Sequence, residues 1–147
     1  MLAHQTWLVP TLVAPRAVLA AASAGANLPP AVVAKAKEVA EVHVESVRAA
    51  VAAGVNLAMG TDSGVGPHGH NLDELPLMQE CGMTPSQVLA SATSTAGRLC
   101  GLQDHTGRVV PGLAADLVVV EGDALELPGL RERIRQVWQD GRLVVGA

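Results

Sequence analysis

The hydrophobic positions of this chain carry both strand and helix periods up to Gly107, and strand signals alone beyond it. Leu8, Val9, Thr11, Leu12 and Val13 form a short β-rich run bounded by Pro15, which predicts a buried parallel strand. The polar, Pro-containing stretch Asn27 to Pro30 leads into a predicted helix over about 31–53. Along it Val32, Ala36, Val39, Ala40, His43, Val47, Ala50 and Val51 recur at helical spacing, leaving Lys35, Lys37, Glu38, Glu41, Glu45 and Arg48 largely to other faces. Pro30 suits its first turn and Gly54 its stop. Val55, Leu57, Ala58 and Met59 predict a second strand, followed by a Gly-rich loop from Gly60 to Asn71. Leu72 to Glu80 reads as a helix closed by Gly82. Thr84, Pro85 and Gln87 open another helix with a capping box, and Ser94 or Thr95 is expected to cap one that ends at Gly101.

Beyond Gly107, the runs Arg108 to Val110, Leu117 to Val120, Ile134 to Gln139 and Arg142 to Val145 read as strands. Asp140-Gly141 between the last two is a strong hairpin signal. The Ala-rich patch near residue 20 reads as helix or helix-flanking structure.

Composition narrows the picture. The 147 residues are 49% hydrophobic, enough for one core, but aromatics are only 1%, Trp7 and Trp138. Ala, Val and Leu must therefore fill the interior, which suits close packing of helices on strands. The net charge of −4 comes from 10 basic and 14 acidic residues spread along the chain, so neither a nucleic-acid stripe nor a polybasic membrane patch is indicated. Cys81 and Cys100 each fall near the end of a predicted helix and are expected as free thiols in a cytoplasmic setting. Residues 7–26 imitate a signal peptide, but no Lys or Arg precedes the run, Arg16 interrupts it, and Pro10 and Pro15 break any spanning helix.

Candidate chemistry centres on NLAMGTDSG, Asn56 to Gly64, where an apolar strand stops at Gly60 and presents Thr61, Asp62 and Ser63 at its carboxyl end. α/β folds place reactive groups there, because side chains project into the crevice outside the sheet. A carboxylate so held can ligate a metal or take a proton from bound water. An ordinary Asp turn is the alternative reading of the same residues. Ser63 has no G-x-S-x-G context, so it is read as a supporting hydrogen-bond donor rather than a nucleophile. His68 and His70 follow in the loop; two imidazoles spaced His-x-His are too few for a zinc site. Asn71 and Glu74 begin the next helix, where capping accounts for both. His43, on the apolar face of the long helix, reads as a core or interface histidine bonded to backbone.

The ordered set WLVPTL, NLAMGTDSG, PHGHNLDEL, GMTPSQVLASATSTAGRLCGL and TGRVVPGLAADLVVVEGD resembles the carboxyl-terminal part of the metal-dependent amidohydrolase superfamily. Within it, the likeness is to imidazolonepropionase-like and Xaa-Pro or Xaa-Arg dipeptidase-like enzymes, and it covers nearly the whole chain. The implied fold is α/β: the carboxyl-terminal part of a TIM-type (β/α)8 barrel over residues 1–105, carrying strands seven and eight with their helices, followed by strands of a small β-sandwich over 106–147. A complete barrel takes about 250 residues, so the chain reads as a fragment. The family's His-x-His pair, often carboxylated lysine and middle-strand histidines would precede this region; none is present, and His4 is not assigned as a ligand.

By this resemblance Asp62 is the strand-eight aspartate, contacting one or two divalent ions, expected to be zinc, and serving as general base toward the nucleophilic water. His68, Ser63 and Asn71 are expected near the substrate, and the surface loop is favoured for His70. The implied reaction is cleavage of a C–N bond in an amide, cyclic amide or dipeptide, with the chain inactive alone. Deamination is a neighbouring alternative. A different alternative is a non-catalytic module that pairs with a separate amino-terminal half or with itself through strand edges left open.

Overall fold

The structure, a computed structural model, describes residues 1–146. The chain divides into two compact units, Met1–Met83 and Thr84–Ala147. No helix among the described residues is long and apolar enough to cross a membrane.

In the first unit the two expected strands touch at a single parallel bridge, Leu8 to Leu57. The Leu8 N–H donates to the Asn56 carbonyl at 2.9 Å, and the Ala58 N–H to the Leu8 carbonyl at 3.1 Å. The first strand is shorter than its β-rich composition predicts. Thr11 turns left-handed at φ 49°, and Val13 already opens helix α1, Val13–Ser23, with Pro15 tolerated in its first turn. The Ala-rich patch is thus helical.

Helix α2, Pro30–Ala52, matches its expected range, with Pro at its start and Gly54 at φ 75° just past its end. There the Gly54 N–H reaches the Val51 carbonyl and the Val55 N–H the Ala50 carbonyl, both at 3.0 Å, a Schellman closure that needs the left-handed glycine. Its apolar stripe is not uniformly covered: Val47 is buried, whereas Val32 and Val39 are exposed. His43 is half-buried, and its imidazole makes no hydrogen bond with the described residues, contrary to the expected backbone partner. A 3-10 turn, Asn71–Asp73, leads into helix α3, Glu74–Glu80. The buried apolar residues of this unit are Pro10, Leu12, Val47, Leu57, Ala58, Leu75, Leu77, Met78, Cys81 and Met83. Cys81 is a free thiol whose pKa burial pushes up, with Arg48 opposing.

In the second unit helix α4, Pro85–Ala92, starts with the expected capping box. The Thr84 N–H donates to Gln87 Oε1 at 2.8 Å, and the Gln87 N–H to Thr84 Oγ1 at 3.3 Å. Helix α5, Ser94–Leu99, follows Thr93 and has no side-chain cap, so neither Ser94 nor Thr95 plays the expected part. Strands β1 (Leu117–Val120), β2 (Ile134–Gln139) and β3 (Arg142–Val145) form an antiparallel sheet in the order β1-β2-β3. Leu117 pairs with Trp138 and Val137 with Val145. Asp140 and Gly141 turn the hairpin, both at positive φ, as the Asp-Gly signal requires. Arg108 to Val110 is not a strand; Val109 is 85% exposed there, and the flanking positive-φ Gly107 and Gly112 bend the segment away from a ladder.

Candidate active site

The bridge at Leu57 places the following residues at the carboxyl end of a parallel strand pair. Three residues past Ala58 the chain reaches Thr61 and then Asp62, which adopts φ 47°. Aspartate tolerates this region better than most residues, and a non-glycine residue held there marks a conformation the surroundings impose. The Val65 N–H closes the turn onto the Asp62 carbonyl at 3.0 Å. The Asp62 side chain is exposed, and its carboxylate makes no hydrogen bond or ion pair with the described residues. Beside it, the Thr61 and Ser63 hydroxyls share a hydrogen bond of 2.8 Å.

These two residues face a pocket of about 400 Å³. One wall is helix α1, through Val13, Ala14, Arg16 and Ala17; the other is the loop and α3, through Ser63, Gly66, Asn71 and Leu77. Gly66 lies so close to α1 that an added Cβ would sit 2.7 Å from the Ala17 Cβ. Of the residues expected near substrate, Ser63 and Asn71 line this pocket, and His68 does not. His70, set aside as surface loop, does line it, and its Nδ1 lies 3.2 Å from Asp73 Oδ2. Asp62 itself stands outside the lining set, between two residues that belong to it.

Capping does not account for Asn71 and Glu74: neither the 3-10 turn nor α3 has a side-chain cap. Glu74 is instead 0% exposed and serves another helix. Its Oε1 accepts the Leu12 N–H and its Oε2 the Val13 N–H, each at 2.8 Å, which satisfies N-terminal donors of α1 that no local side chain reaches. Burial pushes its pKa from 4.5 to about 7; the two N–H donors and Arg16 oppose the rise, and the charge of Asp62 adds to it. Sequence reasoning missed this role. The available signal was phase, since Glu74 falls on the same helical face as the buried Leu77, Met78 and Cys81, where an acid needs a partner.

Among the described residues, no three His, Cys, Asp or Glu side chains gather into a group able to hold a metal ion. Asp62 therefore offers one oxygen donor group, not a site.

A sequence profile of the amidohydrolase family matches residues 1–146. The chain is 33% identical over 118 residues to ochratoxinase from Aspergillus niger, covering 77% of this chain and 24% of that protein. It is 37% identical over 86 residues to imidazolonepropionase from Cereibacter sphaeroides, covering 56% of this chain and 22% of that one. The solved structure of a Xaa-Pro dipeptidase with methionine in its active site superposes with a TM-score of 0.90 at 34% identity, over 99% of this chain and 36% of the other. The chain thus spans about a quarter of the length of the curated relatives it matches.

Proposed function

We propose a function from one premise: this chain belongs to the amidohydrolase family, whose profile matches residues 1–146. It forms the carboxyl-terminal part of a metal-dependent hydrolase that cleaves C–N bonds in amides, cyclic amides or dipeptides. Residues 1–105 make the end of a (β/α)8 barrel and 106–147 strands of a small β-sandwich. The single parallel bridge at Leu8 and Leu57 supports the first, and the exposed Val118, Val119, Val144 and Val145 of the sheet support the second.

The observation that carries the reading is the Asp62 carboxylate, unpaired among the described residues, at a parallel strand's carboxyl end next to a pocket. Asp62 takes the proton of the attacking water and returns it to the leaving nitrogen. Ser63, through its hydrogen bond to Thr61, braces the turn that presents this carboxylate. Asn71 shapes the pocket wall, and His68 orients substrate from the loop. A divalent ion, expected to be zinc, would acidify the water when bound. Among the described residues Asp62 is the group that would face it, and the remaining donors would come from residues outside the chain.

The absence of a three-ligand cluster among the described residues favours a second reading, an assembly module that pairs with an amino-terminal half or with itself. One experiment separates the two. Zinc content and hydrolysis of a dipeptide and N-acyl amino acid panel are measured for the chain alone, then for the chain combined with the amino-terminal two thirds of a related dipeptidase. The hydrolase reading expects little zinc and no turnover alone, with both appearing on combination; combination without turnover favours the module.

A further inference from the structure

Two strand exits in the first unit are left-handed, at Thr11 and at Asp62. The Asp62 turn closes on its own backbone. Thr11 is a β-branched residue at φ 49°, a true outlier, and such a conformation persists only where neighbours over-determine it. The next two N–H groups, Leu12 and Val13, are the ones the Glu74 carboxylate accepts. One side chain from α3 therefore holds the exit of the first strand in a conformation its sequence disfavours. The same side chain bridges the two walls of the pocket beside Asp62, because Val13 belongs to one wall and Leu77, on the helix that Glu74 opens, to the other.

Among the described residues, an ion pair and a close approach also join these walls. The Arg16–Glu80 ion pair, 3.3 Å, has both side chains about half exposed and contributes little fixed geometry. The approach of Gly66 to Ala17 is steric and sets a minimum spacing without pulling the walls together. Only the buried carboxylate both attracts and orients.

We propose that Glu74 is a positioning residue: its bidentate grip on Leu12 and Val13 holds the left-handed Thr11 turn and sets the width of the pocket that receives the part of the substrate remote from the cleaved bond. The assignment to substrate rests on the hydrolase reading above, whereas the grip itself does not. Charged groups facing Glu74 are Arg16 from α1 and Asp62 from the loop, with the Cys81 thiol close on its own helical face.

The test needs neither metal nor turnover, so its failure is distinct from failure of the Asp62 reading. Amide hydrogen exchange and amide NMR peaks are followed in the wild-type chain, in Glu74→Gln and in the double variant Thr11→Gly with Glu74→Gln. The amide of Gln can accept only one of the two donors, so exchange at Leu12 and Val13 should accelerate about tenfold or more. The peaks of Thr61, Ser63 and Gly66 should move with it while Val47 in α2 keeps its protection. Relaxing residue 11 with glycine should return the pocket peaks toward wild type, which a role confined to general stability would not produce. Unchanged Leu12 and Val13 protection, a uniform loss that includes Val47, or no rescue by glycine would each overturn the proposal. If Glu74→Gln does not fold, Glu74→Asp is followed in its place: the shorter carboxylate cannot reach both donors, so Leu12 and Val13 should lose protection while Val47 keeps it, and unchanged Leu12 and Val13 protection overturns the proposal.

Discussion

Glu74 in the first unit and Asp116 in the second each accept two hydrogen bonds, yet they titrate in opposite directions. The Asp140 N–H donates to Asp116 Oδ1 at 2.8 Å and the Thr106 hydroxyl to its Oδ2 at 2.9 Å, and these donors hold the exposed carboxyl below its usual range. Glu74 receives two backbone N–H groups at the same 2.8 Å and is nevertheless raised to about 7. The donors are comparable; the solvent is not. Desolvation outweighs two good hydrogen bonds at Glu74, whereas water covers its cost at Asp116. The first unit thus accepts an electrostatic penalty to tie the exit of the first strand to α3, while the second uses a similar clamp at almost none to pin a hairpin turn.

The sharpest way to break this comparison is Glu74→Ala. It leaves the Leu12 and Val13 N–H groups buried without an acceptor and opens a cavity, so the first unit should lose on the order of 4 kcal/mol in urea unfolding. A loss below about 1 kcal/mol would mean that water replaces the carboxylate freely.

The pH dependence comes next. The folded pKa of Glu74 lies above its ordinary value of 4.5, so the folded state binds the extra proton between 4.5 and about 7. Its contribution is fully present below 4.5 and is lost as pH rises through about 7, on the order of 3 kcal/mol in all. Unfolding free energies across that window should fall in the wild type and stay flatter in Glu74→Gln.

The smallest effect belongs to Asp116→Ala. The lowered pKa means that this clamp stabilises above pH 3.8 and fades as pH falls through the folded value. The variant should speed exchange of the Asp140 and Gly141 amides near neutrality and match the wild type in strong acid. Equal exchange at pH 7 would remove Asp116 from the account of the hairpin.

What the sequence disclosed follows from how local each signal is. The α2 boundaries, the Thr84 and Gln87 capping box and the Asp140-Gly141 hairpin depend on residues within a turn of one another, and all three are legible. The strand-like run Leu8 to Val13 misled, because a left-handed Thr11 and a carboxylate 62 residues away decide where α1 begins. Arg108 to Val110 failed for a related reason, since β-branched composition forms no strand where glycines with positive φ flank it. At the candidate site, the position of Asp62 just past a strand end was legible, because the apolar run and Gly60 that set it are its immediate neighbours. Glu74 was not, because its partners belong to a distant segment. His70 entered the pocket wall for a reason that spacing alone does not contain, the fold of its Gly-rich loop.

The central claim concerns Asp62, and its most direct measurement is turnover by the chain combined with the amino-terminal part of a related dipeptidase, wild type against Asp62→Asn. Asparagine keeps the shape and tolerates the left-handed turn but takes up no proton. The account predicts a fall in kcat of about 10² to 10⁴ with folding and assembly intact. Turnover within threefold of wild type would contradict it, about 0.7 kcal/mol being too little for a group that carries the proton.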